Sequence, residues 1–135
     1  MYRRYIVGIV GIGVMVTVVS GCSEPPYRLP DRNTPAVQAE EKRLAARLPD
    51  ELLWGPGTCN VRLLGKEGSS SFAWATCSMT PTADVPSGGV SMPVRVDGDQ
   101  VRKPADGGDY ADSVKRMFPH RLADRVLHEP DSLRP

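Results

Sequence analysis

The chain has 135 residues, with 17 basic and 16 acidic side chains and a net charge of +1. The signs are interleaved, so there is no basic excess to hold a nucleic acid and no polybasic patch for anionic lipid. The length suits one domain, and a chain of this size buries only about 60–70% of its unfolded surface, a narrow margin of stability.

Residues 1–5 read Met-Tyr-Arg-Arg-Tyr, Ile6 to Val19 are apolar apart from Gly8, Gly11, Gly13 and Thr17, and the first acidic residue is Glu24. The apolar run has 14 residues, short of the ~20 that a helix needs to cross a hydrocarbon core. Behind a basic start, it reads as a cleaved export signal. Ser20 and Gly21 are small enough to enter a narrow peptidase cleft, and Cys22 offers a thiol for acylation. Val19-Ser20-Gly21-Cys22 resembles the lipobox of bacterial lipoproteins, with Val where Leu is commoner. The resemblance covers about the first 26 residues. It implies that residues 1–21 are removed and that Cys22 becomes the lipidated N-terminus, holding the domain on the extracytoplasmic face of the cell membrane. One acyl chain, such as palmitate, binds reversibly, whereas two or more anchor stably. A short uncleaved anchor with an incidental cysteine is the alternative, and it too leaves the domain outside the cytoplasm. Arg3-Arg4 also resembles a twin-arginine export signal.

Removing residues 1–21 leaves 114 residues with 15 basic and 16 acidic side chains. If Cys22 is acylated, Cys59 and Cys77 remain as an even pair in an oxidising compartment and are expected to form a disulfide. Closing a loop of that length contributes about 3 kcal/mol in the chain-entropy model. A redox or metal pair lacks a C-x-x-C spacing or a nearby histidine.

Residues 22–33 contain three prolines and no periodicity, and read as a flexible tether. It would span at most ~40 Å and let the domain reorient above the bilayer. Thr34-Pro35 then opens a helix as N-cap and first residue. Val37, Leu44 and Leu48 give it a narrow apolar stripe that suits packing on a sheet, and Pro49 is expected to end it.

Thr58–Leu64 and Ser70–Ser78 read as strands flanking the turn-forming Gly65-Lys66-Glu67-Gly68. Pairing Cys59 with Cys77 sets Val61 opposite Ala75, Arg62 opposite Trp74, Leu63 opposite Ala73 and Leu64 opposite Phe72. After a loop over 81–89, Val90–Val96 is a third strand whose Pro93 points to an edge or a bulge. Asp97-Gly98 is the strongest hairpin signal and leads into a fourth strand, Gln100–Lys103. Asp109 caps a second helix with Tyr110, Val114, Met117 and Phe118 on one face. Pro119 interrupts it, and Leu122, Val126 and Leu127 continue the stripe. Residues 129–135 read as a polar tail. The expected fold is α+β over 34–128: a four-stranded antiparallel meander with an N-terminal helix and C-terminal helices packed on one face.

No catalytic, phosphate-cradling or cofactor motif stands out, and no metal site is expected. His120 and His128 lack partners at metal-ligand spacing and read as surface residues. Asp97, Asp99, Asp106 and Asp109 flank two glycine turns. They would bind calcium or work on an envelope polymer only if they converged. Trp54 and Trp74, with Arg62 beside the latter, are candidates for a partner-binding surface; a seam between sheet and helices is the plainer reading of the aromatics. The function expected is therefore that of a membrane-anchored lipoprotein, a non-catalytic binding module of the cell envelope. The alternatives are a carrier of an apolar ligand, with a cavity between sheet and helices, and a carboxylate-based envelope enzyme. Some prophage-encoded lipoproteins block phage entry; only size and anchor favour that variant here. The abundance of Gly, Pro, Asp and Arg with few Lys resembles chains of actinobacteria or their phages.

Overall fold

Leu44, Leu48 and Leu52 recur every fourth residue and make one buried stripe along α1 (Pro35–Leu52). The structure, a computed structural model, describes Gly21 and residues 25–135. The signal segment up to Ser20 and the proposed acylation site Cys22 lie outside the described residues. Thr34 is the N-cap residue of α1, but its hydroxyl donates to the Asp31 carbonyl instead of capping the helix. Pro49 does not end the helix as expected. A proline costs the bond from its own missing N–H, and here one more turn places Leu52 in the core.

Four strands follow: β1 (Gly57–Glu67), β2 (Ser70–Met79), β3 (Gly89–Asp97) and β4 (Gln100–Arg102), all antiparallel in the order β1-β2-β3-β4. The expected meander is correct, and so is the register from Cys59–Cys77 through Leu63–Ala73. The bridge itself is present, with the two Cα atoms 4.0 Å apart. The pairing of Leu64 with Phe72 is not observed. A bulge makes Leu64 an extra residue, and Gly65 stands opposite Phe72. Glycine is required there because a Cβ would overlap the hydroxyl of Tyr27. That hydroxyl donates to the bulged Leu64 carbonyl at 2.8 Å, satisfying an acceptor that the ladder has lost. Pro93 sits where β3 has no outer neighbour, since β4 pairs only with Arg95–Asp97. The expectation of an edge position for this proline is met locally.

The helices cover both faces of the sheet, not one. Alternation along the strands sends Val61, Leu63, Ala73, Ala75, Cys77, Val94 and Val96 to the face under α1. Leu64, Phe72 and Trp74 point the other way, onto α2 (Tyr110–Met117) and α3 (His120–His128). Phe118, expected on the helix, is instead extended before Pro119 and turns the chain between these helices. Its ring meets Phe72 edge-on at 5.7 Å. Beneath it, Arg95 donates to Asp97, Ser70 and the Met117 carbonyl, tying the end of α2 to β3.

Two segments expected to be loose are docked. Tyr27 and Leu29 pack into the second core, and Arg125 donates to the Tyr27 carbonyl. Arg32 and Glu41 form an ion pair along the free edge of β1: Glu41 accepts from the Leu63 N–H at 2.9 Å, and Arg32 reaches the Val61 carbonyl. The pair occupies backbone groups that would otherwise template another strand. Tether behaviour therefore does not extend over Tyr27–Asn33. At the other terminus Leu133 is fully buried and Arg62 donates to the Ser132 carbonyl at 2.7 Å. Residues 129–135 are therefore anchored on the second core through Leu133 rather than left as a free polar tail.

Glu40 links α1 to the sheet. It accepts from Arg43 and from the buried Ser71 hydroxyl, with Lys66 at 4.0 Å. The hydrogen bond from Arg43 does most to hold its carboxyl down, at about 2. A depressed folded-state value means that this stabilisation is complete above the ordinary value of 4.5 and is lost as pH falls towards 2. Because Arg43 is half exposed, solvent screening holds the worth of the interaction to about 1 kcal/mol. The Glu40→Gln variant is expected to lose that stability at neutral pH and to show a flatter decline between pH 4.5 and 2. Urea midpoints across that range check it; parallel pH profiles for the two proteins would refute it.

Candidate interaction surface at the Trp54 end

After Leu52 the backbone becomes extended at Leu53, whose N–H closes on the Pro49 carbonyl at 2.9 Å. This exit throws the next side chain outward. Trp54 is 68% exposed, the one large hydrophobic side chain so exposed among the described residues. Its six-membered ring lies over Gly88, where a Cβ would stand 3.4 Å from the indole and 3.1 Å from the Met79 methyl. Gly55 likewise allows Val85 to approach, and a Cβ there would meet its methyl at 3.3 Å.

The loop under the indole is built rather than loose. Met79 N–H donates to the Gly88 carbonyl, and Thr80 N–H donates to the Pro56 carbonyl, both at 2.7 Å. The Thr82 hydroxyl accepts from the Val85 N–H. Between residues 52 and 61, and again between 79 and 93, the only charged side chain is Asp84. On the opposite face of this sheet end, beyond the reach of α2 and α3, exposed Thr58, Asn60, Ser78 and Ser91 form an uncharged rim. An exposed aromatic residue in charge-poor surroundings has the composition that distinguishes the centre of a protein interface.

The other sequence candidates lie elsewhere. Trp74 is only 3% exposed; its indole N–H donates to Ser91 and its ring belongs to the second core. It is seam rather than surface, and the cation over its ring is Arg134, at 5.7 Å, rather than Arg62. Arg62 is half-buried, turned to the C-terminal carbonyls. Trp54, Trp74 and Arg62 therefore do not form one patch.

Asp97 accepts from Ser70 and pairs with Arg95 and Arg102, contacts that lower its carboxyl below the ordinary range, the serine bond most. The Asp99 carbonyl takes a bond from Arg47, and Asp106 and Asp109 stand at the starts of a 3-10 turn and of α2. No group of three or more His, Cys, Asp or Glu side chains that could hold a metal occurs among the described residues. His120 faces Asp124 at 3.8 Å on the surface, and His128 is exposed. Cavities of about 440–450 Å³ open at the surface beside Tyr27 and Arg121, and beside Arg102 and Arg116, lined by charged side chains. They are not the apolar space between sheet and helix that a carrier needs.

The Trp54 surface was half legible in the sequence. The residue was singled out there, but its loop partners Val85 and Gly88 were not, because nothing local marks a loop that folds back onto a helix end. Among the described residues, no helix is long and apolar enough to cross a membrane. The chain matches no protein-family model, no curated protein and no solved structure.

Proposed function

We propose that this chain is a lipid-anchored, extracytoplasmic interaction module that binds a protein partner of the cell envelope through the Trp54 end. The exposed Trp54 in surroundings carrying a single charge carries the reading. Leaving that much indole in water forfeits about 1.5–3 kcal/mol of burial, a cost that a partner would recover. The disulfide fits an oxidising compartment. The anchor rests on the lipobox-like Val19-Ser20-Gly21-Cys22. The apolar-carrier and carboxylate-enzyme readings have no observation of comparable weight.

Trp54→Ala is expected to change stability by less than about 0.5 kcal/mol, as for an exposed side chain. It should weaken partner binding at least about tenfold, as loss of a central aromatic does. A photo-crosslinking residue at Ser87, beside the indole, tests this on intact cells. A defined polypeptide adduct that disappears with Trp54→Ala is the expected result. An adduct pattern unaltered by that substitution would remove the proposal's basis. Cys22→Ser, or inhibition of the lipoprotein signal peptidase, is expected to move the protein from the membrane fraction to the soluble or unprocessed pool. Unchanged fractionation and N-terminal mass would refute the anchor.

A further inference from the structure

The docking of the N-terminal segment has a consequence for how such a module would stand on a membrane. Tyr27 is fixed at three points: its half-buried ring packs against the second core, its hydroxyl donates to the Leu64 carbonyl and its own carbonyl accepts from Arg125. Pro25 and Pro26 line surface cavities together with Tyr27 and Arg121, so the chain already follows the surface of the domain there. From Cys22 to Pro25 is a step of three residues, at most ~10 Å of extended backbone. A leash that short cannot let a folded domain turn over.

The geometry points to a fixed polarity, resting on the reading of Cys22 as the acylated residue: the end formed by Pro25–Arg28 and the start of α3 lies against the lipid headgroups, and the Trp54 end points away from them. Two observations place these ends apart. Tyr27 sits over Gly65, near the β1–β2 turn, whereas Trp54 stands beyond Gly57 at the other end of the same strand. Eight residues of strand separate Gly57 from Gly65, about 26 Å at the usual rise. A binding tip held on the far side of the domain is free to meet its partner.

The test uses the full, naturally processed chain in vesicles of phosphatidylcholine and phosphatidylglycerol. A nitroxide is introduced through a noncanonical residue at Asp124, on α3 near the proximal end, or at Ser87, beside Trp54. Relaxation by a nickel chelate carried on lipid headgroups is compared at the two sites, and intact mass reports acylation. The expected result is an acylated protein relaxed several-fold more at Asp124 than at Ser87. A flexible insert of about ten Gly and Ser residues before Pro25 should erase most of that difference. Equal relaxation in the acylated natural chain would overturn the polarity and leave the anchor standing. A mass without acyl groups would overturn both.

Discussion

Replacing Cys59 and Cys77 together by alanine is expected to lower the free energy of unfolding by about 3 kcal/mol. The cysteines are 18 residues apart, and in the chain-entropy model most of the loss comes from releasing that loop in the unfolded chain. A smaller part arises in the folded protein. Cys77 is 1% exposed beneath α1, and losing its sulfur leaves a gap. A domain of this size has a total stability of about 5–15 kcal/mol, so the loss is a large fraction. The bridge crosses from the edge strand β1 to β2 close to the Trp54 end. Its removal should therefore also loosen the loops that present the indole. Urea denaturation of the double variant should show a lower midpoint with an equal or steeper slope, because the uncrosslinked chain exposes more surface. A loss below about 1 kcal/mol would show that the unfolded chain keeps β1 and β2 together without the covalent link.

That bridge also explains why the sheet was so readable. Cysteine parity, with Cys22 set aside, gives the pair, the pair gives a register, and period-two alternation then gives the faces of Val61, Leu63, Ala73 and Ala75. Asp97-Gly98 announced the last hairpin, and Gly98 indeed takes the positive φ of 57° that such a turn demands. Reading failed where contacts come from far along the chain. The bulge at Leu64 is maintained by Tyr27, 37 residues earlier. Helices on two faces instead of one follow from Phe72 and Trp74 being as deeply buried as Ala73 and Ala75. Apolar residues on consecutive positions of β2 signal a strand covered on both sides, a pattern given too little weight beside the expectation of one solvated face. Pro49 misled for a related reason: local rules end the helix there, but Leu52 gains more from reaching the core than the missing bond costs.

The termini were misread for their composition. Prolines, arginines and aspartates made residues 22–33 and 129–135 look solvated, yet each segment carries one or two apolar anchors among them. Tyr27, Leu29 and Leu133 are three of the side chains that close the second core. Short polar stretches have no periodicity from which a single anchor could be recognised. The candidate site shows the same division. Trp54 could be singled out by residue type, whereas its exposure and the burial of Trp74 depend on which turn of α1 comes last and on where the C-terminus returns.

The C-terminal anchor should have the second large effect. Leu133→Ala is expected to cost about 3 kcal/mol, the usual loss for a fully buried leucine. Deleting residues 130–135 should cost more. It also removes the Ser132 carbonyl that accepts from Arg62, the Ser132 hydroxyl that accepts from Arg125, and the Arg134 guanidinium over Trp74. The Nε of Arg62 is already buried without a hydrogen-bond partner, so stripping its Nη1 acceptor leaves a half-buried cation poorly solvated. Arg134→Ala alone, with its side chain 52% exposed, should cost about 1 kcal/mol or less. In a Trp54→Phe background the remaining indole, Trp74, reports on the core directly. Truncation should shift its emission to longer wavelength before global unfolding, whereas Arg134→Ala should leave it in place. If truncation costs less than about 1 kcal/mol and the emission does not move, the tail is not part of the core. If it costs the full amount, the six residues that look most dispensable in the sequence are what keep Trp74 dry. Trp54 is then left as the indole available to a partner.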